Sequence, residues 1–184
     1  MSEALRALEQ RQLVEIEHSG RNVRARVRDD WELFHAWTRV YDWRRNESLT
    51  VAAPVGDPSR FLRRLPAHLA RAPRWALTMQ AGASLLAPHA TWENIHIYVD
   101  VPTLPELADV ARTAGWQQGA GGRITLMRPW YTSSVWLDSR DVRGITVVNP
   151  LQLMLDLWHY PVRGREAAEF IADTLLSWKP HVPT

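Results

Sequence analysis

The residues with the strongest chemical pattern are Gly82-Ala83-Ser84 and Tyr98-Val99-Asp100. A glycine-bearing helix feeding a strand that ends in an acid is the frame used for metal-dependent nucleotidyl transfer. That chemistry needs two divalent ions held by carboxylates, two of them one residue apart on a strand that follows a Gly-Ser turn. Here the turn is altered, and tyrosine stands where one carboxylate of the pair belongs. Glu93 at the strand's entry and Asp109 on a later helix do not restore it. His89, His96 and His159 are too dispersed for a metal set and are expected as core or surface histidines. Ser133 and Ser134 lack the glycines of a nucleophile elbow. Gly119, Gly121 and Gly122 precede a strand and not a helix, so they fail the context of a phosphate loop and read as a hairpin approach. No catalytic residue, metal ligand or cofactor is therefore assigned, and the chain is expected not to be an enzyme. A divergent nucleotidyltransferase using Asp100 is the alternative.

A second pattern is basic and suits binding. Arg6, Arg11, Arg21, Arg24, Arg26 and Arg28 crowd the first thirty residues, interspersed with Gln10 and Asn22. Such clustering is the footprint of nucleic-acid contact. Residues 2–12 have helical spacing, with Ala4, Leu5 and Leu8 on one side. Leu13 to Glu17 begins a strand, Ser19-Gly20-Arg21-Asn22 supplies a turn, and Val23, Ala25 and Val27 alternate with Arg24, Arg26 and Arg28. Helix, strand, turn and basic strand form the second half of a winged helix, whose last helix enters the major groove and whose hairpin touches phosphate. No earlier helices precede them in this sequence, so the module is expected to be partial. Arg6, Gln10, Arg11, Arg21, Asn22, Arg24, Arg26 and Arg28 are the expected DNA-binding residues. Glu3 and Glu9 on the same helix would repel phosphate, and a basic hairpin that only packs on the main domain is the competing reading.

The elements that must position these residues follow from period and punctuation. Asp29 or Asp30 caps a helix on which Trp31, Phe34, Thr38 and Tyr41 line one stripe, widened by Leu33, Trp37 and Val40. So broad an apolar surface predicts burial on both sides, as a connector or a dimer contact. Leu49 to Ala53 is a short strand. Pro58 starts a helix with Phe61, Leu62 and Leu65 inward and Pro66 ending it. Arg60, Arg63, Arg64, Arg71 and Arg74 make this region basic, and a solvated helix face is the plainer reading. Residues from Ala76 read as a short helix through Met79, Ala83 and Leu86, stopped by Pro88. Ile95, Ile97 and Val99 then alternate with His96, Tyr98 and Asp100. Pro105 starts a helix closed by Gly115. Ile124 to Met127, Val135 to Leu137 and Ile145 to Val148 read as strands, giving four or five in the domain. Asn149-Pro150 starts a helix whose Asp156 is expected to pair with an arginine, and residues 167–178 form another with Ala167, Phe170, Ile171, Thr174, Leu175 and Trp178 inward.

Composition bounds the rest. At 184 residues with 46% apolar residues, the chain can build one good core or a small module beside a main domain. Without cysteine there is no disulfide, thiolate nucleophile or Cys-ligated metal. No apolar run approaches a membrane span, and a cytoplasmic protein without membrane contact is expected. The ten tryptophans are scattered at core-like positions and read as packing.

Taken in order, Ala76-Leu77-Thr78 with Gly82, Leu85-Leu86-Ala87-Pro88-His89, Ile95-His96-Ile97-Tyr98-Val99-Asp100, Val148-Asn149-Pro150-Leu151-Gln152-Leu153 with Leu155-Asp156-Leu157, and Arg163-Gly164-Arg165-Glu166-Ala167-Ala168-Glu169 resemble the AbiEi family of antitoxins from type IV toxin-antitoxin systems. The resemblance covers roughly residues 45 to 178. It implies an α+β chain: a partial winged-helix-like N-terminal segment with its connector helix over residues 1–44, then a mixed α/β antitoxin domain over 45–184 with a nucleotidyltransferase-like, degenerate core. It also implies a regulator that binds operator DNA and counteracts a nucleotidyltransferase toxin without a stable complex. The residues themselves leave a third class open, an interaction module that forms a homodimer through the Trp31 to Tyr41 helix.

Overall fold

All five residues of β5 (Ile95–Val99) are buried, although apolar and polar side chains alternate along it. In a half-solvated strand that alternation would put His96 and Tyr98 in water. Here both faces are covered, and the polar side chains are enclosed with the apolar ones. The structure, a computed structural model, describes residues 3–19, 22–88, 91–119 and 121–178.

Around β5 lies a mixed seven-stranded sheet of order β6-β3-β7-β5-β4-β9-β8. Its other strands are β3 (Glu47–Ala52), β4 (Trp75–Thr78), β6 (Gln117–Gln118), β7 (Ile124–Arg128), β8 (Arg140–Val142) and β9 (Ile145–Val147). β5 pairs antiparallel with β4 and parallel with β7, and β4 continues the sheet parallel to β9. Five helices pack with this sheet: α3 (Pro58–His68), α4 (Met79–Leu86), α5 (Leu104–Thr113), α6 (Pro150–Trp158) and α7 (Gly164–Leu176). Their starts follow sequence chemistry. Asp57, Thr103 and Asn149 cap α3, α5 and α6 by accepting from the backbone N–H three residues on, each with proline in the first turn.

Several expectations need correction. The Ala76 stretch is strand before it is helix: Trp75–Thr78 pairs on both sides, and the helix begins only at Met79, whose φ of +54° makes the corner. Val135 to Leu137 is no strand; Ser134–Trp136 forms a 3-10 turn that buries Val135 and Trp136. The short edge strand β8 is a further strand, with no apolar alternation to mark it in the sequence. Pro66 lies inside α3, which runs on to His68, because a missing N–H near the last turn removes only one helical bond. The glycines at 119–122 do not turn a hairpin. β6 and β7 flank β3 on opposite sides, so the chain crosses the end of that strand. Gly122 makes the crossing possible, since a Cβ there would stand 2.1 Å from the Val51 carbonyl oxygen.

The chain divides into two units: residues 42–177, just described, and the described residues up to Tyr41 together with Trp178. The second unit holds α1 (Glu3–Gln10), the antiparallel hairpin of β1 (Val14–Ser19) and β2 (Asn22–Val27), and α2 (Asp30–Thr38), capped by Asp29. Trp31, Phe34, Thr38 and Tyr41 are buried along one stripe. The Trp178 ring closes on it, 5.2 Å from Trp31 and 5.9 Å from Phe34 between centroids. Trp178 therefore belongs to this core and not to the stripe of α7, which has ended at Leu176. In the single chain only one stripe is covered: Trp37 on α2 is 36% exposed, and Val40, just past its end, 66%. Among the described residues no helix is long and apolar enough to cross a membrane.

Candidate nucleic-acid interface

The hairpin register decides what the arginines face. Arg24 lies opposite Glu17 and Arg26 opposite Glu15, while Val27, Ala25 and Val23 lie opposite Val14, Ile16 and His18. Strand alternation thus puts the β2 arginines and two glutamates on one face, with the apolar pairs on the other. Arg28 follows the strand, and its N–H donates to the Leu13 carbonyl, closing the hairpin's base. The acids across from the β2 arginines carry no signal in that strand's own alternation, because register between strands is set only on pairing.

Arg6, Gln10, Arg11, Arg24, Arg26 and Arg28 are all exposed. Among the described residues no carboxylate oxygen comes within 4.0 Å of any of these guanidiniums. Asn22 opens β2 by its backbone, and Arg21 lies outside the described residues. α1, which carries Arg6 and Gln10, packs against β1 and has no fully buried residue. Glu3 and Glu9 are exposed on it as well. The surface is a set of unneutralised guanidiniums moderated by acids, able to hold a polyanion by charge.

The residues singled out for nucleotidyl transfer lie in the other unit and do different things. Ser84 on α4 donates its hydroxyl to the Ala81 carbonyl. Asp100 is exposed just past β5, where its N–H donates to the Arg74 carbonyl. Asp109 pairs with Arg112 on α5, Glu93 is exposed, and His159 is exposed at the end of α6; His89 lies outside the described residues. Ser133 and Ser134 belong to the 3-10 turn. Among the described residues no three His, Asp or Glu side chains converge as metal ligands would.

What fills the frame is a buried polar cluster. Asp156 on α6 is 0% exposed. Its carboxylate accepts from the Thr78 hydroxyl at 2.5 Å, the Tyr98 hydroxyl at 2.9 Å and the Gln152 side-chain amide at 2.9 Å. Asn46 extends the cluster, donating to the Tyr98 oxygen at 3.2 Å and to the Trp43 carbonyl at 2.6 Å, and accepting from the backbone N–H of Trp130 at 2.8 Å. The three donors to Asp156 come from β4, β5 and α6 itself. Its i, i+4 relation to Gln152 was the one part of the cluster legible in the sequence.

His96 sits beside this cluster, 6% exposed, with its ring 6.2 Å from Trp43 and 5.5 Å from Tyr160 between centroids. Burial among these rings disfavours the imidazolium and lowers its pKa from 6.5 to about 4. The native state therefore resists a proton that the unfolded chain accepts below pH 6.5. Stability contributed by neutral His96 is complete above about pH 7 and falls as pH drops from 6.5 toward 4, by roughly 2 kcal/mol at pH 5. Urea unfolding at pH 8 and pH 5 measures this loss. The His96→Leu protein is expected to lose less between the two pH values, and an identical loss in both proteins would remove His96 as the source.

A family model described as a transcriptional regulator, the AbiEi antitoxin of a type IV toxin-antitoxin system, matches residues 26–177. The match begins within β2 and runs through α7. Comparison with curated proteins and with solved structures finds no match.

Proposed function

The chain belongs to this AbiEi family of type IV toxin-antitoxin regulators, and we propose that it binds its own operator through the arginines of α1 and the hairpin and represses the operon. The family match carries the regulator; the exposed arginines on a hairpin that follows a helix, with no carboxylate within 4.0 Å among the described residues, support DNA as the ligand. In this reading residues 1–44 form the partial winged-helix-like segment and residues 45–184 the antitoxin domain. The antitoxin domain opposes a nucleotidyltransferase toxin without a lasting complex, and the protein works in the cytoplasm.

We further propose that the antitoxin domain is a nucleotidyltransferase-like core that has lost its chemistry. The order β4, α4, β5, with β5 antiparallel to β4, supports the likeness. Tyr98 occupies the position of a second carboxylate, and its hydroxyl is committed to Asp156 and Asn46. The exposed Trp37 on α2 and Val40 just past its end support a homodimer as a subsidiary reading, which a monomeric mass in solution would remove.

The test is fluorescence anisotropy of the full chain with the DNA upstream of its own gene. Binding is expected to weaken steeply between 50 and 200 mM salt, by about tenfold or more, as counterion release requires. Absence of binding, or binding indifferent to salt, would remove the operator from the proposal while leaving family membership untouched.

A further inference from the structure

Half of the arginines in residues 42–177 have an ion-pair or ring partner. Arg44 pairs with Asp42, Arg112 with Asp109, Arg128 with Glu47 and Arg163 with Glu166. Arg45, Arg74 and Arg165 lie over the rings of Trp130, Trp136 and Trp158. α3 concentrates those without one. Arg60, Arg63 and Arg64 on it are exposed, and among the described residues none has a carboxylate within 4.0 Å or a ring beneath it. Among the described residues the other arginines without such partners are Arg71, in the turn after α3, and Arg123, Arg140 and Arg143, on or beside strands.

Arg60, Arg64 and His68 recur every four residues, so they share one face of α3. Like charges at that spacing repel, and an anion held between them turns the repulsion into attraction. The same face forms a wall of a cleft of about 390 Å³, within the range of small-molecule sites. Pro54 and Val55 after β3, and Trp116 after α5, supply apolar walls. The floor is aromatic: His68 stacks against Phe61 at 5.6 Å and lies tilted at 48° to Trp116 at 5.8 Å, and Phe61 and Trp116 are each 5% exposed. Asp57 also lines the cleft, but its carboxylate accepts from the Arg60 backbone N–H at 2.6 Å as the helix cap. Two uncommitted guanidiniums therefore face one carboxylate that is already engaged.

We propose that this cleft binds a phosphate-bearing small molecule of nucleotide size, with the phosphate on Arg60 and Arg64 and the body against Val55 and Trp116. Guanidinium forks match phosphate oxygens in pairs, and a flat apolar wall takes a planar ring. The site is made entirely of antitoxin-domain residues and is separate in sequence from the N-terminal arginines. It would give this regulator a small-molecule input alongside DNA.

Calorimetric titration of the full chain with ADP and with inorganic pyrophosphate, at about 50 mM salt, tests this. ADP is expected to bind more tightly than pyrophosphate, which lacks a body for the apolar walls. The double substitution Arg60→Gln with Arg64→Gln is expected to weaken ADP at least tenfold. Both side chains are exposed, so its melting temperature should match the parent's and separate lost binding from lost fold. Arg112→Gln, on an arginine outside the cleft, should leave ADP affinity unchanged. No heat with ADP, or ADP binding that survives the double substitution, overturns the proposal. So does a single-stranded oligonucleotide that binds through Arg60 and Arg64 when ADP does not, since the basic face would then serve nucleic acid.

Discussion

Replacing Arg24, Arg26 and Arg28 together with alanine is expected to lower affinity for the operator by about a hundredfold near 0.1 M salt and to flatten its salt dependence. A guanidinium on a phosphate releases a counterion, so each arginine lost from such a contact should take about one unit from the slope of log affinity against log salt. The three side chains are exposed and without carboxylates within 4.0 Å among the described residues, so their removal should leave the fold intact. The register adds a sharper test in the opposite direction. Glu17 and Glu15 stand across from Arg24 and Arg26 and repel the same phosphates. Glu15→Gln with Glu17→Gln should therefore raise affinity severalfold and change the slope little, because no counterion is exchanged for a neutral side chain. If the triple substitution leaves both affinity and slope unchanged, the hairpin does not touch the phosphate backbone, and its arginines only solvate a packed strand.

Asp156→Ala is expected to destabilise the domain by about 3–5 kcal/mol, enough to lower its melting temperature by roughly 10 °C. The carboxylate is the shared acceptor for Thr78, Tyr98 and Gln152, and Asp156, Thr78 and Tyr98 are each 0% exposed. Deleting it leaves those donors facing a small void instead of an acceptor, and an unmet buried donor costs about 1–3 kcal/mol. The costs do not simply add, because the hydroxyls can turn toward other oxygens. Asp156→Asn keeps the volume and one acceptor oxygen but points an N–H₂ at a donor, so a smaller loss of about 1–3 kcal/mol is expected. Tyr98→Phe, which removes one donor and leaves the carboxylate its other bonds, should cost about 1 kcal/mol. Calorimetric melting of the three variants orders them. An Asp156→Ala protein as stable as the parent would mean that the cluster does not tie α6 to β4 and β5.

Both predictions depend on partners across the fold, and the sequence alone determined a different part of this protein. Local signals carried well: Asp29 and Asn149 cap the helices that follow them, Pro58, Pro105 and Pro150 stand in first turns, and Gly115 ends α5 at φ +76°. The α1 helix and the basic hairpin were legible because their periods, 3.6 and 2, are written in adjacent residues. The ordered motifs also sufficed to point to the family. Tertiary structure decided the rest. Trp75–Thr78 is a strand because β5 and β9 pair with it, which outweighs the helical spacing of its neighbours. Alternation along β5 reads as one wet face, yet both faces are covered, so His96 is held neutral and Tyr98 becomes a buried donor. Asp156 meets Thr78 and Tyr98 across 78 and 58 residues of chain, and Glu17 meets Arg24 only through the hairpin's register. The physical reason is the same in each case: caps, turns and periods are set by interactions within a few residues, whereas a buried polar group or a cross-strand charge takes its role from whichever distant segment folding brings beside it.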